Sequence, residues 1–198
     1  MESEESEPVR RRPGGRAARV REAVLAAAAD VLVEHGAAKL TIAGVAARAG
    51  VNETTVYRRW GTREKLVLDA LLAASDQGIP VPDTGDVRAD LTAFATALAE
   101  YLATPLGRAV ARAAVLGADD PALAEAWQEF WRSRLDQAAV MIQRAVDRGE
   151  LPAGTDAAVA VELLAAPVQS RALLGHRPPE PDFPGRLAAV ILDGLRGR

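Results

Sequence analysis

The stretch "TIAGVAARAGVNETTVYRRW", residues 41–60, restricts the fold more than any other part of the chain. Thr41 and Asn52 are favoured N-cap residues, and Gly50 between them is a common helix terminator. The apolar residues of the first half recur on one helical face, so that half must pack against a neighbour. The stretch therefore predicts two short helices joined by a tight turn.

The rest of the chain also repeats its apolar residues at helical spacing and contains no convincing strand. Hydrophobic residues make up 49% of the sequence and aromatic residues only 4%. Such a core consists mostly of Ala, Leu and Val, which favours helices. The helix-breaking stretch at 78–86 marks a boundary. We predict an all-α protein of about nine helices, with a disordered arm at 1–16, a small helical domain at 17–77 and a larger one at 86–198.

Charge is distributed unevenly along the chain. The net charge is −3, yet residues 8–65 carry 12 Lys and Arg against 5 Asp and Glu, whereas residues 66–198 carry 12 against 18. A basic N-terminal third joined to an acidic remainder indicates an anion-binding head on a separate body. A chance asymmetry of solvated faces is the alternative.

Several functions are disfavoured by what the sequence lacks. The chain has no Cys, which excludes disulfides, thiolate catalysis and Cys-based metal sites, and its two His form no metal-ligand pattern. No G-x-S-x-G, P-loop, dinucleotide or HExxH motif is present. We expect no enzymatic activity, no metal and no cofactor. The acidic start and the short apolar run at 23–29 match neither a targeting signal nor a membrane span, so we expect a soluble, cytoplasmic protein without a membrane partner.

A helical wheel of the second short helix separates two faces. With Val56 at the origin, Trp60 falls at about 40°, while Thr54 and Arg58 fall at about 160° and 200°. Val56 and Trp60 should therefore face the core. The opposite face carries groups that can reach phosphates and base edges, namely Thr54, Thr55, Tyr57 and Arg58. This is the layout of a helix-turn-helix, whose second helix enters the DNA major groove. A polar corner of a helical bundle is the alternative.

Residues 41–67, "TIAGVAARAGVNETTVYRRWGTREKLV", resemble the DNA-binding half of the TetR (tetracycline repressor) family of bacterial regulators. The shared elements are the Thr-capped helix, "AARAGV", the Thr-Val-Tyr step, an aromatic residue at Trp60, and "TREKL". The rest of the chain is similar to the family only in length and helix count. The resemblance implies a helix-turn-helix DNA-binding domain at 17–77 and a domain for effector binding and dimerisation at 86–198.

The resemblance also implies a homodimer that binds a near-palindromic operator of double-stranded DNA. Carried over by position, Thr41, Asn52, Thr55 and Tyr57 would face the operator, largely at phosphates. At Arg63 a phosphate would offset the unfavourable place of a cation at a helix N-terminus. The full set expected at DNA is Thr41, Asn52, Glu53, Thr54, Thr55, Tyr57, Arg58, Arg59, Arg63 and Lys65.

Two features of this region have two possible roles each. Glu53 follows the Asn52 cap, where its charge suits the positive helix end, yet a carboxylate there could also accept from a cytosine amino group. The basic residues of the arm either lie in a neighbouring minor groove or form an accidental charge run in a disordered tail. These residues are Arg10, Arg11, Arg12 and Arg16.

In the body, the resemblance implies a pocket for an unidentified small-molecule effector. Its candidate wall residues are Phe94, Tyr101, Trp127, Phe130, Trp131, Met141 and Gln169. An aromatic stripe at this spacing is more often plain core. Pro167, inside a helical stretch, is either a tolerated kink or a bend that makes room for the effector. The last two helices would pair with those of a twin, through Leu163, Leu164, Leu187, Val190 and Ile191.

The sequence thus predicts a DNA-binding transcriptional regulator, a repressor that a small-molecule effector releases from its operator. An effector that prefers the wrong separation of the two heads must weaken operator binding by the same factor. The alternative is a DNA-binding regulator or architectural protein that has no effector.

Overall fold

The computed structural model describes residues 15–116, 121–175 and 180–197. Over these ranges the chain forms nine α-helices and one short 3-10 turn, Ala37–Lys39, so the predicted all-α class is confirmed. The helices are α1 (Gly15–His35), α2 (Ile42–Ala49), α3 (Glu53–Trp60), α4 (Arg63–Gly78), α5 (Val87–Ala103), α6 (Pro105–Leu116), α7 (Pro121–Asp147), α8 (Ala157–Leu174) and α9 (Phe183–Leu195). Arg10, Arg11 and Arg12 of the predicted arm lie outside the described residues.

The helix boundaries follow the capping residues. The side chains of Thr41, Asn52, Thr62 and Asp86 each accept a hydrogen bond from a backbone amide in the first turn, at 3.1, 2.9, 3.3 and 2.7 Å. These bonds satisfy amides that have no partner within the helix. Gly50 closes α2 in the left-handed conformation, with φ 65°, which lets the chain turn sharply into α3.

The head consists of α1 to α4. Helix α1 packs against α2 and α4, and the short α3 lies against α2 and α4. Its core is aliphatic, with Val24, Val45, Val56, Leu66 and Leu71 all fully buried. Neither α2 nor α3, at eight residues each, is long enough to be stable alone. Both are helical because they cover this core.

The body consists of α5 to α9. Helix α5 packs against α8 and α9, and α7 packs against α8. The head core does not stop at the predicted boundary, because α6 packs against α1 and α7 against α4. Val110, Leu123, Trp127 and Phe130 belong to the same hydrophobic cluster as the head residues. One apolar core therefore joins the head to the body.

Helix α8 is the one helix of the described ranges that is long and apolar enough to cross a membrane, with a mean hydropathy of 1.4. The sequence analysis considered only the apolar run at 23–29 and did not single out α8. Ala160, Val161 and Leu164 of α8 are buried in the body core. A core helix with apolar residues on more than one side meets the same test of length and composition. The helix also runs through Pro167 as a single element.

Candidate DNA-binding surface and ligand cavity

The outward face of α3 is the first candidate site. Val56 and Trp60 are 0% and 5% exposed, so the wheel assigned the buried side correctly. On the opposite side Tyr57 is 50% exposed, and Thr54 and Arg58 are exposed next to it. A hydroxyl, a phenol and a guanidinium thus lie together on the solvent-exposed face of α3, opposite the face that packs on the head core.

The other residues expected at DNA are placed around this face. Glu53, Arg59 and Lys65 are exposed, as is Thr41 at the start of α2, whereas Thr55 is half-buried. Glu53 is exposed because it is the first residue of α3 and precedes the part that meets the core. The guanidinium carbon of Arg59 lies 5.5 Å from the centre of the Trp60 ring, which holds this cation at the end of α3.

Trp60 fastens α3 to two other helices. Its indole Nε1 donates to Asp69 Oδ2 on α4 at 3.0 Å, and the same oxygen lies 3.6 Å from Nη2 of Arg21 on α1. An indole N–H that is buried needs a partner, and a carboxylate gives a strong one. The orientation of the exposed face therefore depends on a buried ring and one carboxylate of α4.

The N-terminus of α3 carries a small polar cluster. Asn52 Oδ1 accepts both the backbone amide of Thr54, at 2.9 Å, and the Thr54 hydroxyl, at 2.7 Å. The Thr54 hydroxyl therefore uses its proton within the protein. Thr54 can still accept a hydrogen bond from a base through its hydroxyl oxygen. Asn52 can donate one to a phosphate or a base through its amide NH₂.

Arg63 is placed differently from the expectation. It is half-buried, and its Nη2 donates to the carbonyl of Ala37 at 3.2 Å. That carbonyl lies in the 3-10 turn before α2, so the bond joins the start of α4 to that turn. The unfavourable place of a cation at a helix N-terminus is offset by a protein carbonyl, where we expected a phosphate.

Lys39 was not selected from the sequence, yet it lies beside the N-terminus of α2. It lines an open groove of about 380 Å³ together with His35, Thr41 and Arg48. Lys39 is exposed and two residues before the Thr41 cap, where a cation and the first amides of α2 can meet one phosphate. The signal in the sequence was a lone lysine directly upstream of an N-cap.

Arg48 in the same groove holds the head together. It donates to both carboxylate oxygens of Glu34 on α1, at 2.8 and 2.5 Å, and lies 3.8 Å from Asp30. The hydrogen bond from Arg48 is the main reason that the pKa of Glu34 lies below its ordinary value. The pair fixes α2 on α1 at a solvent-exposed edge, and the charge of Arg48 is largely balanced there.

The second candidate site is a cavity of about 390 Å³ that is lined by residues of α4 to α8. Five of the residues expected at the pocket line it, namely Phe94, Tyr101, Phe130, Trp131 and Gln169. Trp127 and Met141 do not line it. Trp127 packs edge-on against Phe130, at 5.9 Å between ring centres, within the cluster shared with the head, and Met141 is fully buried in the body core. Both side chains are part of the hydrophobic core and not of the cavity lining.

Arg134 is the main polar residue of the cavity, and the sequence analysis missed it. It is 7% exposed, and its Nη1 donates to Asp76 Oδ1 at 2.6 Å and to Gln137 Oε1 at 2.7 Å. Its Nη2 donates to the carbonyl of Ile79 at 3.2 Å. Burial lowers the pKa of Arg134, and the Asp76 carboxylate opposes that effect. A single arginine in an amphipathic helix gives no sequence signal of burial.

Tyr101 faces the last turn of α4. A Cβ atom added at Gly78 would lie 2.2 Å from Tyr101 Cδ2, so the ring lies directly against the glycine backbone. Burial raises the pKa of the Tyr101 phenol, partly offset by the nearby Ser75 hydroxyl and Arg134. Within the described residues the Tyr101 hydroxyl is buried without a hydrogen bond of acceptable geometry, to Ser75 or to any other group. The phenol therefore keeps its proton and has no acceptor for it.

The surface of α8 and α9 carries exposed apolar side chains. Val159, Leu163 and Leu174 on α8 are 49%, 54% and 59% exposed, and Val190 on α9 is 70% exposed. Of the residues expected at a dimer interface, Leu163 and Val190 belong to this surface and Leu187 is half-buried. Leu164 and Ile191 are 0% and 8% exposed and pack in the body core, because the helix turns them inward.

A short helix with an exposed polar face, preceded by a capped helix and a tight glycine turn, defines a helix-turn-helix DNA-binding protein. Two family profiles match the chain: "Bacterial regulatory proteins, tetR family" over residues 24–70 and "Tetracyclin repressor-like, C-terminal domain" over residues 81–191. The chain belongs to the TetR family of transcriptional regulators.

Relatives and solved structures agree with this assignment. The HTH-type transcriptional regulator AqdR of Rhodococcus erythropolis is 39% identical over 146 residues, which cover 74% of this chain and 70% of AqdR. The uncharacterized HTH-type transcriptional regulator YdeS of Bacillus subtilis is 32% identical over 153 residues, 77% of each chain. The crystal structure of the TetR family regulator SCO0332 superposes with a TM-score of 0.74 at 34% identity, covering 89% of this chain and 98% of that one. The protein is thus a DNA-binding transcriptional regulator.

Proposed function

We propose that this regulator is a repressor that binds a near-palindromic operator as a homodimer and leaves it when a small molecule occupies the body cavity. The observation that carries the proposal is the position of α4, which contacts both candidate sites. Asp69 in its middle holds Trp60 of the proposed DNA-facing helix. Near its end, Ser75 lines the cavity and Gly78 lies against Tyr101 of the cavity wall. The helix that orients α3 is therefore also a wall of the cavity.

DNA contact by α3 is supported by its chemistry and its exposure. The phenol of Tyr57 and the guanidinium of Arg58 are the outermost groups of the α3 face, and Lys39 and Thr41 add a second contact point at the N-terminus of α2. Such groups bind phosphates and base edges. The residues that hold the α3 face outward, Val56 and Trp60, are buried and apolar, as a rigid reading element requires.

Dimerisation is supported by the exposed apolar residues of α8 and α9. Val159, Leu163 and Leu174 lie on one line of α8, since they are four and eleven residues apart, and Val190 lies on the adjoining α9. Covering these side chains with the same surface of a second copy gives an isologous contact. A homodimer also meets the geometric demand of a palindrome, whose successive major grooves are about 34–36 Å apart.

Coupling of the two sites is supported by the bonds at the end of α4. Arg134, in the cavity wall, donates to Asp76 and to the carbonyl of Ile79, the residue that caps α4. A ligand that moves Arg134 or the Tyr101 ring therefore acts on the last turn of α4. A shift of α4 changes the position of α3 relative to the body, and the operator affinity changes by the same factor as the ligand affinity.

The experiment that tests DNA binding is selection of genomic fragments by the purified protein, followed by titration of the selected site. We expect a palindrome. Arg58→Ala should weaken binding and lower the slope of log K against log salt by about one, since one phosphate or base contact is lost. Arg132→Ala, at an exposed position of α7 in the body, is the matched control and should bind as the wild type does. Equal loss in both variants would remove α3 from the mechanism.

The experiment that tests the dimer is sedimentation of Val190→Glu against Val140→Glu. Both residues are exposed valines, at 70% and 41%, but Val140 lies on α7 away from the proposed contact. A buried, unpaired carboxylate should dissociate the Val190→Glu dimer, whereas Val140→Glu should sediment as the wild type does. A wild-type monomer at micromolar concentration contradicts the dimer directly.

The alternative function, a regulator without an effector, makes a different prediction. Under the proposal, some fraction of a metabolite extract should raise the melting temperature of the protein and lower its operator affinity. A fraction that raises the melting temperature and leaves operator affinity unchanged favours the alternative.

A further inference from the structure

One hydrogen-bond donor in the lining of the body cavity, the Tyr101 hydroxyl, has no acceptor within the described residues. Tyr101 carries a protonated hydroxyl that no acceptor in the described residues satisfies. Arg134 has five N–H groups, of which the bonds to Asp76, Gln137 and Ile79 use three. Tyr101 and Arg134 both line the cavity, so a ligand can add an acceptor for the Tyr101 hydroxyl there.

Most of the rest of the wall is apolar, apart from Ser75, Gln169 and the exposed Glu162. Phe94, Leu98, Phe130, Trp131 and Val161 are among the lining residues, and the volume of about 390 Å³ suits a compound with a ring system or a long hydrocarbon part. A ligand without any polar group would leave the Tyr101 hydroxyl unsatisfied. A ligand acceptor that receives this hydrogen bond therefore binds more favourably than a hydrocarbon of the same shape.

The charges around the cavity disfavour an anionic ligand. The guanidinium of Arg134 is already paired with Asp76 at 2.6 Å, and Glu162 adds a second carboxylate to the lining. A ligand carboxylate would add a negative charge to a cavity whose arginine is already paired with a carboxylate. A neutral acceptor such as a carbonyl oxygen receives the hydrogen bond without adding charge.

We propose that the effector is an uncharged, largely apolar compound whose single carbonyl-type acceptor receives a hydrogen bond from the Tyr101 hydroxyl. The inference rests on the proposed function, because it names the ligand class for the same cavity. Ser75 and Tyr101 both line the cavity on the side where α4 and α5 pack, and the acceptor binds there. A ligand that binds the Tyr101 hydroxyl contacts the side chain that lies against the Gly78 backbone, and so acts on the last turn of α4.

Three probes of similar shape test the ligand class: benzophenone, with a carbonyl; diphenylmethane, with no acceptor; and diphenylacetate, with a carboxylate. Calorimetric titration, with the sparingly soluble compound in the cell, gives each affinity. We expect benzophenone to bind on the order of tenfold more tightly than diphenylmethane, and diphenylacetate to bind more weakly than benzophenone. In Tyr101→Phe the preference for the ketone should fall by about threefold or more, with diphenylmethane affinity little changed.

Tyr57→Phe, which removes the other phenolic hydroxyl at a position outside the cavity, should keep the wild-type preference for the ketone. Melting curves establish that both variants fold. Equal affinities for ketone and hydrocarbon, an unchanged preference in Tyr101→Phe, or no binding of any probe would each overturn the proposal. Tighter binding of diphenylacetate would overturn it in favour of an anion site at Arg134.

Operator titration with saturating benzophenone separates this proposal from the proposed function. A Tyr101-dependent preference for the ketone without any change in operator affinity leaves the ligand class standing and rejects ligand-controlled release. Loss of operator affinity together with that preference supports both.

Discussion

The head and the body of this protein place their sites in opposite ways. In the head, the candidate contacts lie on eight consecutive residues of α3 and their immediate neighbours, and face outward from an aliphatic core. In the body, the cavity is lined by residues from five helices that are up to about a hundred positions apart, and its polar groups face inward. A surface site can therefore be recognised from one local pattern, whereas an enclosed site depends on how distant helices pack.

The variant with the largest expected effect tests whether the exposed face of α3 depends on the buried Trp60 side chain. Trp60→Ala removes a ring that is 5% exposed and leaves the Asp69 carboxylate without its indole partner. We expect a loss of about 3–5 kcal/mol in the free energy of unfolding, measured by urea denaturation. Tyr57→Ala, at three residues' distance on the exposed side, should change stability by less than about 0.5 kcal/mol. Similar losses in both variants would contradict the division of α3 into two faces.

A smaller effect is expected where the body meets α4. Gly78→Ala places a Cβ atom 2.2 Å from the Tyr101 ring, so the ring or the helix must move. We expect destabilisation by about 1–3 kcal/mol, together with altered ligand binding in the cavity. Gly185→Ala in α9 is the matched control, since its Cβ would meet only Thr92 at 3.9 Å. That variant should gain up to about 1 kcal/mol from helix propensity. A neutral Gly78→Ala would show that the contact does not constrain α4.

The two roles of Glu53 are separated by Glu53→Gln. Because Glu53 is exposed at the first position of α3, we expect it to act through its charge at the helix end and through repulsion of phosphates. Operator affinity should then rise uniformly, on the order of threefold at low salt, for all operator variants. A changed preference at one base pair would assign base reading to Glu53.

The smallest effect concerns the exposed pair that holds α2 on α1. The pKa of Glu34 lies below its ordinary value of 4.5, first because Arg48 hydrogen-bonds to it. A carboxyl with a lowered folded-state pKa stabilises the protein above its unfolded pKa and loses this contribution as the pH falls through the folded value. Wild type should therefore melt higher than Glu34→Gln at pH 7, with the difference vanishing in acid. A difference that persists at pH 2 would mean that the carboxylate charge is not responsible.

The head shows which structural features can be predicted from short sequence patterns. Thr41, Asn52 and Gly50 set the helix limits through bonds and dihedral angles that each residue makes with its own neighbours, so the sequence predicts them correctly. The inward side of α3 is equally predictable because helical periodicity separates Val56 and Trp60 from the polar residues. Arg63 could not be placed this way, since its acceptor, the Ala37 carbonyl, is 26 residues away.

In the body, local pattern identified helices and apolar faces but not their partners. Trp127 and Trp131 are one turn apart on α7, yet one packs into the core shared with the head and the other lines the cavity. Leu163 and Leu164 are adjacent, yet one is 54% exposed and the other is fully buried. The helices that pack around two such neighbours decide which of them lines the cavity, lies in the core or is exposed at the surface.

The sequence by itself determined the all-α class, the limits of α2 and α3, and the buried and exposed faces of α3, because caps, turns and periodicity act over a few residues. The sequence placed Tyr101 at a pocket, but tertiary structure alone decided that Arg134 lines it and that the Tyr101 hydroxyl has no acceptor within the described residues. Arg134 and Tyr101 meet the end of α4 only when α4, α5 and α7 pack together, and the low dielectric of that corner makes an unsatisfied hydroxyl costly. Enclosure, and with it the chemistry of the cavity, is a property of several helices at once.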